Sequence, residues 1–294
     1  MKLLSFAFAT LLSATASAVT ITQQNLIPET DKSEFIGQAG LQVLSASRED
    51  DSDVAGVGFG LGLSYYYGFI ENNAIGVSTN YFAQGTKVKK SGNPDQDTKE
   101  KGLENVTFLY KGNYSLGTPT LFFHGGFSLP VGPLKLESSG NTVDASTSEG
   151  QRALIGTLGI VVPVGTLELG ALTTYQKKAE GKVEINSSGT TTDYDSKGGD
   201  EFGASIFAEL TGDLNLNFSL NYLNHQDITY AEGNTNGTFA GTELLSAAAG
   251  MRSAVNESTE IIGTAELSSM LNQSKRDLKG YAQIDVTVGI RLTF

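Results

Sequence analysis

The 294-residue chain contains no cysteine and no tryptophan. Without cysteine it has no disulfide framework, no thiol nucleophile, no thiolate metal site and no thioether lipid anchor. Its two histidines, His124 and His225, leave little from which to build a transition-metal site. No metal, cofactor or catalytic residue is expected. Charged residues make up 18%, below the usual quarter, and basic ones are the minority. Twenty Lys and Arg against thirty-two Asp and Glu give a net charge of −12, which argues against a nucleic-acid partner. Long hydrophobic runs are missing too. Past the first twelve residues no stretch approaches eighteen apolar residues, so no transmembrane helix is expected. Any aromatic belt at a membrane surface must be built from Tyr and Phe.

The first residues, MKLLSFAFATLLSATASAVT, read as a secretory signal peptide. Lys2 supplies the positive n-region, Leu3 to Leu12 the apolar region, and Ala16-Ser17-Ala18 the small-x-small cleavage site. Signal peptide 1–18, a loose N-terminal periplasmic segment 19–33 and one domain over 34–294 are the expected organisation.

From Glu34 onward the chain repeats one grammar. In VGFGLGLSYYYGF the odd positions Val57, Phe59, Leu61, Leu63, Tyr65, Tyr67 and Phe69 are apolar or aromatic. Between them stand Gly58, Gly60, Gly62, Ser64, Tyr66 and Gly68. LNLNFSLNYLN sorts Leu214, Leu216, Phe218, Leu220 and Tyr222 from Asn215, Asn217, Ser219, Asn221 and Leu223 in the same way. A helix would scatter these residues around its axis, whereas a strand separates them onto two faces. The pattern predicts twelve strands near 34–45, 55–69, 74–86, 103–114, 119–131, 152–162, 166–177, 201–211, 214–225, 243–255, 260–270 and 280–294. Short turns and longer polar loops alternate between them.

Strands of this length, an even count and alternating connection lengths point to one fold class. It is all-β: a closed antiparallel up-and-down transmembrane β-barrel of twelve strands, with short periplasmic turns and longer extracellular loops. A soluble sandwich uses shorter strands. Closure is required because a sheet edge in lipid would leave backbone groups unsatisfied. Outward Tyr65, Tyr67, Phe69, Tyr81, Tyr110, Tyr114, Phe123, Tyr175, Tyr222 and Phe294 would settle at the headgroup level.

The ending GIRLTF sets Gly289, Leu292 and Phe294 at the spacing glycine, two residues, hydrophobic, one residue, aromatic. It resembles the C-terminal insertion signal of Gram-negative outer-membrane β-barrel proteins, with Val288 where that pattern favours a polar residue. The resemblance implies an outer-membrane location, and lipid, lipopolysaccharide and the barrel-insertion machinery as partners. A fainter likeness lies in GFSLPVG, Gly126 to Gly132, which is similar to a strand-end phrase of a transporter-like family tied to phenol-degradation pathways.

The lumen face reads as polar and mostly uncharged, with Gln38, Gln42, Asn80, Gln84, Asn113, Ser128, Asn217, Asn221 and Gln283 among its residues. Tyr66, Phe82, Phe122 and Phe207 are its large members. Twelve tilted strands close at a backbone radius of roughly 12 Å, which leaves a passage of about 10 Å or less. No loop reaches about thirty residues, so no large plug is expected. Inward charges are sparse: Lys111, Glu168, Glu209, Arg252, Glu266, Asp285 and Arg291. Arg252, Glu266 and Asp285 are expected at similar heights, as a constriction or as a salt-bridge brace. Lys111 and Arg291 complete the pore-lining set. Glu168 and Glu209 are expected in solvent near the periplasmic end. His225 and Asp227 could both face inward at the outer rim as a hydrolytic pair, or His225 could be a hydrogen-bonded rim histidine.

These readings predict a non-enzymatic outer-membrane channel for passive diffusion of small solutes, with the oligomeric state open. The alternatives are a transporter of small apolar or aromatic compounds and a non-transporting surface barrel, enzymatic or adhesive.

Overall fold

The computed structural model describes residues 27–89, 95–139, 142–148, 150–187, 190–232, 235–272 and 278–294. The expected signal peptide, 1–18, and most of the expected N-terminal segment, 19–33, lie outside these residues.

Twelve long strands form the wall. They are β1 (Ser33–Arg48), β2 (Asp53–Ile70), β3 (Asn73–Lys89), the broken strand β4 (Gln96–Leu103) plus β5 (Val106–Ser115), β6 (Thr120–Leu129) and β9 (Gln151–Val164). Then follow β10 (Leu167–Ser187), β12 (Glu201–Leu210), β13 (Leu214–His225), β16 (Thr242–Asn256), β17 (Thr259–Met270) and β18 (Leu278–Thr293). Each wall strand pairs antiparallel with the next, and β18 pairs back onto β1 from Glu34↔Thr293 to Arg48↔Leu278. The ring is therefore closed and has no edge. All twelve predicted strands are present. Among the described residues there is no helix.

The outer face explains why closure is needed. Val57, Phe59, Leu61, Leu63, Tyr65 and Phe69 of β2 are exposed, as are Ile284, Val286, Val288 and Ile290 of β18, and their inward neighbours are not. So much contiguous exposed apolar surface does not occur on a water-facing wall. From Val57 to Phe69 the tilted strand climbs about 30 Å, the thickness of a bilayer core. Tight turns close one end: Asn72 (φ 59°) lies in the β2–β3 turn and Gly165 (φ 67°) in the β9–β10 turn. Ser33 and Phe294 meet at this turn end through two backbone hydrogen bonds of 2.7 and 2.9 Å.

The loop end differs from expectation. Four of the polar connections continue as sheet rather than loop. The hairpin β7 (Leu134–Ser139) and β8 (Thr142–Ala145) runs parallel to β10 on one side and to β4 on the other. It fills the wall above the shorter strands β6 and β9. On its far side β10 pairs with β11 (Thr190–Gly198), which pairs with β14 (Ile228–Glu232), itself paired with β15 (Thr235–Phe239). These extension strands are only 4 to 9 residues long, and their outer faces, above the bilayer, are largely polar, so a period-two signal is weak there.

Candidate functional site

The lumen is built by parity. On β1, Glu34, Ile36, Gln42, Leu44 and Ala46 are buried while Leu41, Val43 and Ser45 are exposed. The same alternation on every wall strand sorts the interior into three levels.

At the turn end two arginines link three acids in a chain. Arg291 donates from Nε (2.7 Å) and Nη2 (2.5 Å) to Glu34 Oε2, and from Nη1 (2.8 Å) to Glu260 Oε2. Arg252 donates from Nη1 to Glu260 Oε1 (3.1 Å) and from Nη2 to Glu209 Oε1 (3.3 Å). Lys111 sits 3.7 Å above the Tyr66 ring, in the field of Glu34. Three cations and three acids thus brace the wall from β5 to β12 by way of β1 and β18. Glu209, expected in solvent, is buried against Arg252.

The expected level of Arg252, Glu266 and Asp285 is corrected. Glu266 and Asp285 do stand directly opposite each other on β17 and β18. Arg252, however, faces Ile262, while Glu266 faces Ala248, four residues further from the hairpin, about 13 Å along the strand. The tight β16–β17 hairpin fixes these pairings, and it puts Arg252 nearer the turn end than either acid.

The middle level is polar and acidic. One register row runs Glu266, Asp285, Gln42, Gly58, Gln84 and Glu100 across β17, β18, β1, β2, β3 and β4. Asp285 accepts from Gln42 Nε2 (2.9 Å) and Gln283 Nε2 (2.7 Å), and Glu266 accepts from the Ser246 hydroxyl. Beside this row lies a cavity of about 50 Å³, lined in part by Gln38, Gln42, Asn80, Glu104, Asp285 and Thr287. Gly40, Gly60 and Gly62 keep it open: a Cβ on Gly62 would sit 3.0 Å from Asn80 Oδ1, and one on Gly40 3.0 Å from Thr287 Oγ1. The opposite wall is filled. Phe122 lies over Gly159 and Phe207 over Gly170, with Val161 and Leu172 beside them. A Cβ at Gly159 would come within 2.0 Å of the Phe122 ring, so only glycine admits that close approach.

At the loop end the interior is apolar, where a polar lumen was expected. Leu44, Ala46, Val54, Val88, Leu244, Met270, Leu278 and Tyr281 form one buried cluster on β1, β2, β3, β16, β17 and β18. Leu134, Leu136, Ala145, Val183, Ile228 and Phe239 form a second, above β6 and β9. Side chains left only 1 to 8% exposed leave little open passage at this level.

His225 and Asp227, the expected pair at the rim, each engage other partners. His225 Nδ1 donates to the Gln226 carbonyl (2.9 Å), which leaves Nε2 to accept from Lys178 Nζ (3.2 Å). Lys178 in turn pairs with Glu201 (2.8 Å). Asp227 spends Oδ1 on the Gly241 N–H (2.6 Å). His124 packs against Phe122, centroids 5.8 Å apart. At the loop-end rim Asp200 accepts from Lys177 Nζ (2.7 Å), Tyr175 Oη (2.9 Å) and the Lys178 N–H (2.9 Å). Burial alone would raise the Asp200 carboxyl, but these donors together hold it below the ordinary aspartate range.

No known family's sequence pattern matches the chain, and no curated protein matches it. Its likenesses are to solved structures. An outer membrane channel from Pseudomonas putida F1 is 11% identical with a TM-score of 0.64, over 94% of this chain and 100% of that one. The transport unit of the autotransporter AIDA-I from Escherichia coli gives 10% identity and a TM-score of 0.53, over 99% and 98%. The translocator domain of the autotransporter NalP from Neisseria meningitidis gives 11% and 0.50, over 99% and 97%. At this identity the fold is what they share, and it is the outer-membrane β-barrel fold. A channel and two translocators carry it, so the fold alone does not assign the activity.

Proposed function

We propose that this chain is an outer-membrane channel through which small solutes diffuse passively. One observation carries the reading: the middle of the lumen is lined by amide and hydroxyl side chains that other protein groups leave partly unsatisfied. Among the described residues both amide atoms of Gln84, and Gln42 Oε1 and Asn221 Oδ1, are buried without a protein partner. Buried polar groups need partners, and in a barrel interior water and polar solutes supply them. The cavity beside the middle row, about 50 Å³, has room for a few waters or a small ion. Lys111, Arg252, Glu266, Asp285 and Arg291 line this path, Arg252 and Arg291 as parts of the brace. Gly289, Leu292 and Phe294 fit an insertion signal, since the last strand must dock beside β1 to close the barrel.

A second reading, passage of small apolar compounds, is favoured by the apolar cluster at the loop end, which offers such a compound its first contact. Purified, refolded protein in planar bilayers and in liposome-swelling assays tests both. Stepwise current and swelling with sugars or amino acids support polar diffusion. Uptake of an aromatic tracer without current supports the second reading. Neither current nor uptake overturns the channel.

A further inference from the structure

The middle register row of the lumen is unlike the turn-end brace in one respect. The brace pairs each acid with a cation. Asp285 and Glu266 in the row meet neutral donors: two glutamine amides at Asp285, and the Ser246 hydroxyl and Asn221 amide at Glu266. Among the described residues neither carboxylate is in a salt bridge, and Glu100, in the same row, is in none. The row also carries a surplus of acceptors. Gln42 is 3% exposed and its Oε1 has no partner, although Nε2 is spent on Asp285. Glu100 Oε2 (residue 4% exposed) and Gln84 Oε1 (5%) are likewise buried without a donor. Gly58 stands between the two glutamines and puts no side chain in the way. Gln42 and Asp285 both line the glycine-walled cavity.

We infer that the row Glu266–Asp285–Gln42–Gln84–Glu100 is a transit station for small cations, alkali-metal or ammonium ions, and makes the channel cation-selective. Three observations converge on it. Buried acceptor oxygens lack donors, carboxylates lack counter-charges, and the adjoining cavity of about 50 Å³ has room for an ion with a few waters. Carboxylate and amide oxygens are the ligands hard cations take. No three His, Cys, Asp or Glu side chains among the described residues lie close enough to chelate a metal ion. The station is therefore built for passage and not for a resident metal; a permeation site must bind weakly enough to release. The inference rests on the channel reading for its transport half but not for its binding half.

The test has two arms. In planar bilayers under a tenfold KCl gradient, the unaltered protein should give a reversal potential on the K⁺ side. A unit charge about 4 Å from a monovalent ion in water-like surroundings changes its occupancy about fivefold. Asp285→Asn with Glu266→Gln should thus lower the K⁺/Cl⁻ permeability ratio at least fivefold, while Asp53→Asn, exposed at the start of β2, leaves it unchanged. In the second arm, urea unfolding of the folded barrel is compared in KCl and in N-methylglucamine chloride at equal ionic strength. The unaltered protein should be the more stable in KCl and the double variant should lose that difference, since a ligand that binds only the folded state stabilises it. Far-UV circular dichroism and heat-modifiable gel mobility confirm that each variant is folded. No current, with the K⁺-specific stabilisation intact, refutes the channel and leaves the cation station standing. Current that is unselective or anion-selective, or no K⁺-specific stabilisation, overturns the station.

Discussion

Replacing Arg291 by methionine should be the most costly single change at the turn end. Glu34 is 0% exposed, and its Oε2 takes the Nε and Nη2 contacts of Arg291. Removing the guanidinium leaves that carboxylate desolvated without a direct partner, which in buried pairs costs about 3–5 kcal/mol. Glu260 suffers less, because Arg252 still holds it at 3.1 Å and its side chain is 21% exposed; its share is about 0.5–1 kcal/mol. Lys111 can relieve part of the field at Glu34, which places the expectation toward the lower end of the range. The assay is reversible urea unfolding of the barrel in lipid vesicles, followed by circular dichroism. With a urea slope of about 3 kcal/mol per molar, the midpoint should fall by about 1 M. Glu34→Gln combined with Arg291→Met should recover most of that loss, since the pair is then removed together, with a coupling of about 1–3 kcal/mol. An Arg291→Met cost under about 1 kcal/mol, or a double variant no better than the sum of the singles, refutes the claim that this pair is a buried, interdependent unit.

Gly159→Leu should destabilise the barrel by at least 1–3 kcal/mol in the same assay, because its side chain and the Phe122 ring claim one space. Leu44→Ser with Met270→Ser should cost roughly 2–5 kcal/mol per site and raise single-channel conductance by wetting the loop end; unchanged conductance would show that this cluster does not limit flow. Gly62→Val should narrow the chamber and lower conductance while the barrel stays folded, as seen by gel mobility. Asp200, with its carboxyl held low at the rim, contributes stability that is complete above the unfolded aspartate value near 4. That contribution should vanish as pH falls from there through its depressed folded value, and Asp200→Asn should flatten this part of the stability–pH curve.

The sequence reveals the wall far better than its contents. All twelve wall strands follow from period-two alternation, because lipid outside and water inside impose opposite demands on neighbouring residues. Lys111, Arg252, Glu266, Asp285 and Arg291 also lie inward as parity requires. Glu34 and Glu260 were missed although they share the parity of Gln42 and Glu266; each is the second residue of its strand, where a charge reads as solvated. Leu44, Leu244 and Met270 were hidden for the opposite reason. Apolar side chains were assigned to lipid, yet parity carried outward from mid-strand turns these three inward. Partnerships such as Arg252 with Glu209 cross an intervening strand, and no local pattern in the chain encodes them.

Closing the ring through β1 and β18 has a kinetic consequence. The hydrogen bond between Glu34 and Arg291 joins residues 257 positions apart, and Ser33 bonds to Phe294 alongside it. Few domains ask for a contact of such range, and loop-closure entropy must be met before it forms. Folding rates fall as mean contact separation rises, so assembly should be slow, with hairpins such as β2–β3 able to form long before the seam. Until the seam shuts, two unpaired edges remain available to a neighbouring chain, so the interval before closure is when this barrel is most exposed to misassembly.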